Sequence, residues 1–516
     1  MKRMKIYIKS ISKLLLVLTA SLVLTNCSDD FLDQDKLGQE TSDVYFNSQE
    51  KAVASVTAAY SDLKDYRFGW FYWAFGETMS DNAIYSGSDG DNAGFEPLKT
   101  FNGTTAMSQV SRKWDLCYRG VNKSNQAIEG IEGMADELFE SVAFKNRLIS
   151  EAKVLRAFYH FELVRAFGRI PILDHLIKAA GEKIGQSDVT DVYAFIISEL
   201  EAAEPNLPVK SEYSASDLGR ITKGFAQGFL AKINLYAENF EDAKTWAKKV
   251  IDSKEYELDP DFAHIFSFDG ENGIESLFEI DFIESLTEAG ATTNNGNFQT
   301  LFQLPRNITY GYGINQPTQN LADAFDAAGD VVRKAATLLT TDEVYANEIP
   351  QDVWDWYNLQ TDPQVANDSL DQWKAKLIFN RTGYYQQKIY VGPADRSTEI
   401  RNNANNTRIM RYAEVLLTYA EACYKTTDEG NARIALNEVR DRAGLTDVTA
   451  SGTDLLDAIY TERRLELAGE NDRYHELLRT NRASILPYYS EAHKYWPVPQ
   501  AEIDRTTGEI EQNPGY

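Results

Sequence analysis

Trp70-Phe71-Tyr72-Trp73 and Phe75 run directly ahead of Asp81 and Asn82. Indole and phenol rings present flat faces to apolar C–H surface. A carboxylate and an amide present acceptors and donors in fork geometry to hydroxyls. A ligand with an apolar face and a rim of hydroxyls, such as a sugar, needs both kinds of group side by side. Any one ring also suits a core, but Trp70 and Trp73 read as exposed contact residues, with Tyr72, Asp81 and Asn82 beside them. Trp354 and Trp356, followed by Tyr357, form a second group spaced like an amphipathic patch among polar residues.

Catalytic patterns are weaker. The chain has no H-E-x-x-H, no G-x-S-x-G and no phosphate-binding glycine loop. Its five histidines (His160, His175, His264, His475 and His493) lack metal-ligand spacing. Glu462 and Glu466 stand one helical turn apart and could form a carboxylate pair for glycoside hydrolysis. Arg463, Arg464 and Arg473 close by favour an ion network instead. Acidic runs at 88–92 and 269–272 offer oxygen ligands but miss the register of a calcium-binding loop, and read as solvated turns. No catalytic residue, metal site or cofactor is assigned.

The N-terminus is more specific. Lys2, Arg3, Lys5, Lys9 and Lys13 precede an apolar run at 14–24, too short to span a bilayer and typical of a secretory leader. The run ends at Leu24-Thr25-Asn26-Cys27, which resembles the lipobox of bacterial lipoproteins. Asn26 is bulkier than the usual Gly or Ala. Cys27 would then accept the lipid and become the first mature residue. Ser28-Asp29-Asp30 resembles the surface-export signal of Bacteroidetes lipoproteins. Removing residues 1–26, with five positive charges and no acid, takes the formal net charge from -26 to -31. Such acidity repels nucleic acid and anionic headgroups, so attachment to a membrane would run through Cys27. The remaining Cys117 and Cys423 fall in helical patterns and read as buried free thiols; a chain this long builds its core without disulfides.

The positioning elements are mostly helices. Residues 47–66 carry a capping-box pattern at Asn47 and Glu50, then apolar residues at helical spacing. Residues 151–168 form a stripe ended by Gly168 and Pro171, and 188–203 is another amphipathic run. Residues 226–251 and 412–442 read as helical hairpins turning at Glu238-Asn239 and Asp428-Glu429-Gly430. Between about 269 and 404, Gly, Asn, Thr and aromatics mix without a long period, which predicts long loops and short strands over the helical scaffold. No Pro/Gly/Ser linker divides the chain. The expected fold is therefore all-α dominated: a single helical domain in which tetratricopeptide-like helix pairs support a loop-rich face with few short strands.

Taken together, these motifs resemble the SusD/RagB family of Bacteroidetes outer-membrane lipoproteins. The resemblance rests on 27–33, on Glu77-Thr78-Met79-Ser80-Asp81-Asn82-Ala83, on 151–159 with Gly168-Arg169-Ile170-Pro171, and on Arg220-Ile221-Thr222-Lys223. It continues through Arg408-Ile409-Met410-Arg411-Tyr412-Ala413-Glu414-Val415, Glu462-Arg463-Arg464-Leu465-Glu466, Tyr495-Trp496-Pro497-Val498-Pro499 and Gln512-Asn513-Pro514-Gly515-Tyr516. Where family members usually carry Phe-Glu-Gly and then Arg-Trp, this chain has Gly469-Glu470-Asn471-Asp472-Arg473-Tyr474, a departure on a scaffold motif. The resemblance implies a leader at 1–26, an N-terminal half at 27–265 and a C-terminal half at 266–516 with the loop-rich ligand face. It implies a glycan ligand, or in some members a peptide, and no enzymatic activity. It implies a SusC-type TonB-dependent transporter as partner and an extracellular-facing outer-membrane location. It also directs the stretch ending at Asp81-Asn82 and the middle loops, with Tyr310 and Tyr312, toward the ligand.

Overall fold

The computed structural model describes residues 45–87, 95–178, 182–284, 296–361, 364, 371–372, 375, 380–398, 402–506 and 508–516. The leader, Cys27 and the acidic run at 88–92 lie outside the described residues.

The chain opens with α1 (Gln49–Ser61), whose N-cap is Ser48 and not the Asn47–Glu50 box expected from sequence. A 3₁₀ turn at Asp62–Lys64 then breaks the run predicted to continue to residue 66, and Tyr66 starts the next helix, α2 (Tyr66–Gly76). Asp65 caps it, its carboxylate accepting from Arg67 N at 2.9 Å. After β1 (Ala83–Ile84) and the short α3 (Glu96–Lys99) come the two longest helices, α4 (Ser108–Glu132) and α5 (Val142–Phe167), packed on each other.

Helix α5 begins well before residue 151, because Ser141 Oγ caps it by accepting from Phe144 N at 3.1 Å. It is buried on nearly every side from Ser150 onward, so its full length shows no polar face in the periodicity. It ends at Gly168, whose φ of 71° lies in the left-handed region; a side chain there would also strike the Tyr495 ring.

Helix α6 (Val189–Ala203) packs on α5, and the hairpin α7 (Lys223–Tyr236) and α8 (Phe240–Ser253) follows, turning through Glu238 at φ 60°. Strand β2 (Ser276–Ile280) enters the middle region. That region is more helical than its composition suggested. It holds α9 (Phe298–Gln303), β3 (Gln316–Pro317), α10 (Gln319–Ala328), α11 (Val331–Thr337), β4 (Leu338–Thr340), α12 (Thr341–Glu348), α13 (Gln351–Leu359) and β5 (Tyr384–Gln386). Each of these helices is at most ten residues long, too short for a 3.6-residue period to stand out. Side-chain caps hold several of them, as at Asn297, Thr318, Asp330 and Thr340.

The chain closes with β6 (Thr407–Arg411), the hairpin α14 (Tyr412–Lys425) and α15 (Glu429–Arg442), then α16 (Thr453–Glu466), α17 (Arg473–Arg479) and α18 (Gln500–Thr506). Among the described residues the strands form three antiparallel pairs: Ala83 opposite Pro317, Ser276 opposite Arg411, and Leu338 opposite Gln386. Helix α8 packs against α14, which joins the two hairpins. The fold is helix-dominated with a few short strands, and residues Ser48–Tyr516 form one compact unit with one principal apolar cluster. Cys117 and Cys423 are buried free thiols in it; burial pushes their pKa values up to about 12 and about 11. Among the described residues no helix is long and apolar enough to cross a membrane.

Candidate functional site

Helix α2 divides its aromatic side chains between two faces. Phe68, Phe71, Tyr72 and Phe75 point into the core, with Phe68 stacked on Tyr72 at 5.6 Å and Phe75 edge-on to Trp496 at 5.2 Å. Tyr66, Trp70 and Trp73, at i, i+4 and i+7, share the other face. That face meets α9. Trp70 lies 4.8 Å from Phe302 and 5.2 Å from Phe95, and Tyr66 lies 5.4 Å from Phe298. Phe302 reaches on to Tyr312 at 5.7 Å.

Phe298, Tyr66, Trp70, Phe302 and Tyr312 thus form a continuous aromatic series. Its exposure is graded. Phe302 is buried, Phe298, Tyr66 and Trp70 are half-buried, and Tyr312 keeps 37% of its surface in solvent. The arrangement can cover an apolar ligand face at its outer rings while the inner rings hold them in place.

The residues expected from sequence separate into distinct environments. Trp73, read as exposed, has 0% exposure and packs on Phe95 at 5.5 Å; α9 and Phe95 cover it. Tyr72 is likewise a core ring. Asn82 is fully buried, and its amide oxygen accepts from Arg464 Nε at 2.9 Å. Asp81 takes two bonds from Arg473, at 2.8 and 3.0 Å. Burial acts to raise the Asp81 pKa, but Arg473 and Arg464 outweigh it and hold the carboxyl below the ordinary value. These two polar groups tie α2 to the C-terminal helices. Tyr310 is half-buried, its hydroxyl accepting from Asn403 Nδ2 at 2.8 Å and donating to Ser397 O at 3.2 Å. Trp354 and Trp356 lie on α13, a helix with no buried residue. Trp356 is 41% exposed, and Trp354 sits edge-on to Tyr357 at 5.9 Å. Among the described residues no ring contact joins α13 to the aromatic series of α2 and α9.

Tyr66, Phe298 and Phe302 belong to this aromatic series and lie outside the residues expected from sequence. The i, i+4 spacing within each pair, Tyr66 with Trp70 and Phe298 with Phe302, was the available signal. The end of the 47–66 run and the aperiodic composition around Phe298 mask it.

Glu462 and Glu466 have no exposed side-chain surface. Arg333 bridges both, at 2.6 and 2.9 Å, and also binds Asp330 at 2.6 Å. Glu466 further takes Arg411 at 2.9 Å and Arg442 at 2.5 Å, while Arg440 reaches Glu462 at 2.8 Å. The pair is an ion network in the interior, closed to a substrate. The segment 469–474 extends it. Glu470 binds Lys388 and Arg411, and Asp472 binds Arg165 and Lys232. Glu77 clamps the segment by accepting from Gly469 N at 3.0 Å and Asn471 N at 3.2 Å; its burial pushes its pKa up to about 7. His160 is also structural. Its Nδ1 bonds Arg156 O at 2.8 Å, Leu173 N donates to its Nε2, and burial lowers its pKa to about 4. In the turn at 269–272, Glu271 accepts from Asn406 N at 2.6 Å.

Two family models match this chain in consecutive stretches. Residues 30–235 match a model described as starch-binding associating with outer membrane, and residues 274–494 match the SusD family. The SusD-like protein P2 of Formosa agariphila is 25% identical, over 96% of this chain and 98% of its own length. A SusD-like protein of Bacteroides ovatus is 25% identical over 92% of this chain and 83% of its own. Among solved structures, surface glycan-binding protein A from Bacteroides thetaiotaomicron superposes with a TM-score of 0.75 at 25% identity, covering 92% of this chain and all of that one. A laminarin-binding SusD-like protein also gives 0.75, at 24% identity and 91% coverage of this chain. With both ends of the fold matched and the helical scaffold shared, this chain belongs to the SusD family.

Proposed function

We propose that this protein is a surface-exposed glycan-binding lipoprotein that captures oligo- or polysaccharide and passes it, uncut, to a SusC-type TonB-dependent transporter. The observation that carries this reading is the graded aromatic series from Phe298 to Tyr312. Its outer rings suit the C–H faces of sugar units, and rings packed behind them fix their orientation without cost at binding. The similar proteins named for glycan or laminarin binding support the same ligand class. The carboxylates best spaced for hydrolysis are closed in an ion network, which supports capture over cleavage. Trp354 and Trp356 on the exposed α13 are proposed as a second contact for a longer chain, and Tyr310 as a support for the loop that carries Tyr312. Trp70 is proposed to act through its outer edge, and Trp73, Tyr72, Asp81 and Asn82 as the scaffold of that face.

The mature protein should bind at least one member of a polysaccharide panel, laminarin included, and release no new reducing ends. Tyr312→Ala and Phe298→Ala should weaken that binding about five- to tenfold, on the scale of ~1 kcal/mol per stacked ring. The melting temperature of Tyr312→Ala should stay near the parent's. Trp73→Ala should instead lose about 3–5 kcal/mol of stability, as a buried indole does. Folded variants at Tyr312, Phe298 and Trp356 that all bind as tightly as the parent would sink the proposal.

The proposed anchor is Cys27. A Cys27→Ala chain should appear in the soluble fraction or keep its leader, because lipid acylation supplies the attachment that this acidic surface does not. A processed Cys27→Ala protein that stays with the membrane would disprove the anchor.

A further inference from the structure

A cavity of about 410 Å³ opens where the α7–α8 turn meets α17 and the C-terminal end of α14. It shares no residue with the aromatic series of α2 and α9. Its volume falls within the ordinary range for small-molecule sites. Its walls carry five phenol or phenyl rings, Tyr193, Tyr236, Phe240, Tyr460 and Tyr495, and the buried imidazole of His475. Tyr193 and Tyr236 meet edge to face at 6.4 Å, which fixes their planes.

Between the rings lies a buried ion pair. Arg479 donates to both oxygens of Glu421, at 2.8 and 2.7 Å, and to Glu476, which Arg463 also meets at 3.2 Å, so the two carboxylates are balanced by two guanidiniums. Arg165, also in the wall, is buried and paired with Glu162 and Asp472, and the other charges lie nearer solvent. Lys425 is exposed, makes no ion pair among the described residues and holds its ammonium 5.6 Å from the Phe240 ring. Lys494 reaches Glu491 only at 3.7 Å and lies 5.7 Å from the Tyr495 ring. Glu238, in the turn, is the opposing acid. In a chain with a formal net charge of -26, a cavity with two loosely paired ammonium groups is a local exception.

We propose that this cavity binds a single anionic sugar unit, a hexuronate in its simplest form. The ring walls cover the C–H faces of a pyranose. The carboxylate lone pairs and guanidinium N–H groups of the floor serve its hydroxyls. The two lysines take its carboxylate. A neutral sugar leaves the lysines unused, and a small anion leaves the rings unused.

The test uses the full mature protein with D-glucuronate, D-glucose and acetate as probes in calorimetric titrations. Glucuronate should bind at one site and at least about tenfold more tightly than glucose, and acetate at equal concentration should not displace it. Combining Lys425→Met with Lys494→Met should weaken glucuronate binding about five- to tenfold, the scale of two exposed ion pairs, with no change in melting temperature. Tyr312→Ala, on the other aromatic series, should leave it unchanged. Absence of saturable glucuronate binding would overturn the proposal, as would equal binding of glucose, displacement by acetate, or a folded double-lysine variant that binds like the parent.

Discussion

Glu466→Ala should lower the unfolding free energy by about 3–5 kcal/mol, the cost of leaving buried charges without their partner. Three guanidiniums converge on this one carboxylate. Arg333 lies at 2.9 Å, Arg411 at 2.9 Å and Arg442 at 2.5 Å. All four side chains are at most 3% exposed, so water cannot replace the lost carboxylate. Burial alone would raise the Glu466 pKa, but the arginines overcome it and hold the group well below the ordinary carboxylate range. A carboxyl held low contributes its stability above the unfolded-state pKa of about 4.3 and loses it as pH falls through the folded value. The stability gap between parent and variant should therefore stay constant from pH 5 to 8 and start to close below about pH 4. Chemical denaturation at each pH measures it. Asp252→Ala, which breaks the exposed pair with Lys248, provides the contrast and should cost less than about 0.5 kcal/mol. If Glu466→Ala were as harmless as Asp252→Ala, the network would not be a structural core.

Gly76→Ala should cost about 3 kcal/mol or more, at or beyond the upper end of ordinary overpacking, because what it meets is backbone. A Cβ at Gly76 would sit 1.6 Å from the carbonyl oxygen of Asn471. A side chain could rotate away from such a contact, but the 469–473 backbone is held on several sides. Glu77 accepts from Gly469 N and Asn471 N, Asp472 binds Arg165 at 2.8 Å, and Arg473 binds Asp81 at 2.8 Å. Making room for one methyl group would pull on all of these bonds, and through Asp81 on the end of α2. The proposed glycan binding should then fall together with the melting temperature. Gly430→Ala is the control: it lies near the start of α15 with nothing within 4 Å of the added carbon, and should be neutral or stabilising by up to about 1 kcal/mol. A Gly76→Ala chain that melts with the parent would show that the 469–473 segment is freer than its hydrogen bonds indicate.

Local signals in the sequence were enough for several of the long elements, but they left α4 undelineated and placed the start of α5 too late. The Gly168 stop, the hairpins around Glu238 and Asp428, and the helix after Asp188 each depend on residues close in sequence, so periodicity and caps revealed them. The same holds for the aromatic content of α2 and for the ion network suggested by Glu462, Glu466 and their neighbouring arginines. The family was also legible, because its motifs recur in order along the whole chain.

What the sequence could not assign was which side of α2 faces outward. Trp70 and Trp73 differ by one helical turn and share a face, and only the packing of Phe95 and α9 against that face buries Trp73 while leaving the edge of Trp70 and the ring of Tyr312 accessible. Asp81 and Asn82 read as ligand groups because their partners, Arg464 and Arg473, stand nearly four hundred residues away in the chain. Composition and spacing determine which groups a segment carries. Whether a ring or a carboxylate remains free for a ligand depends on distant segments that compete for the same surface, and only tertiary packing resolves that competition.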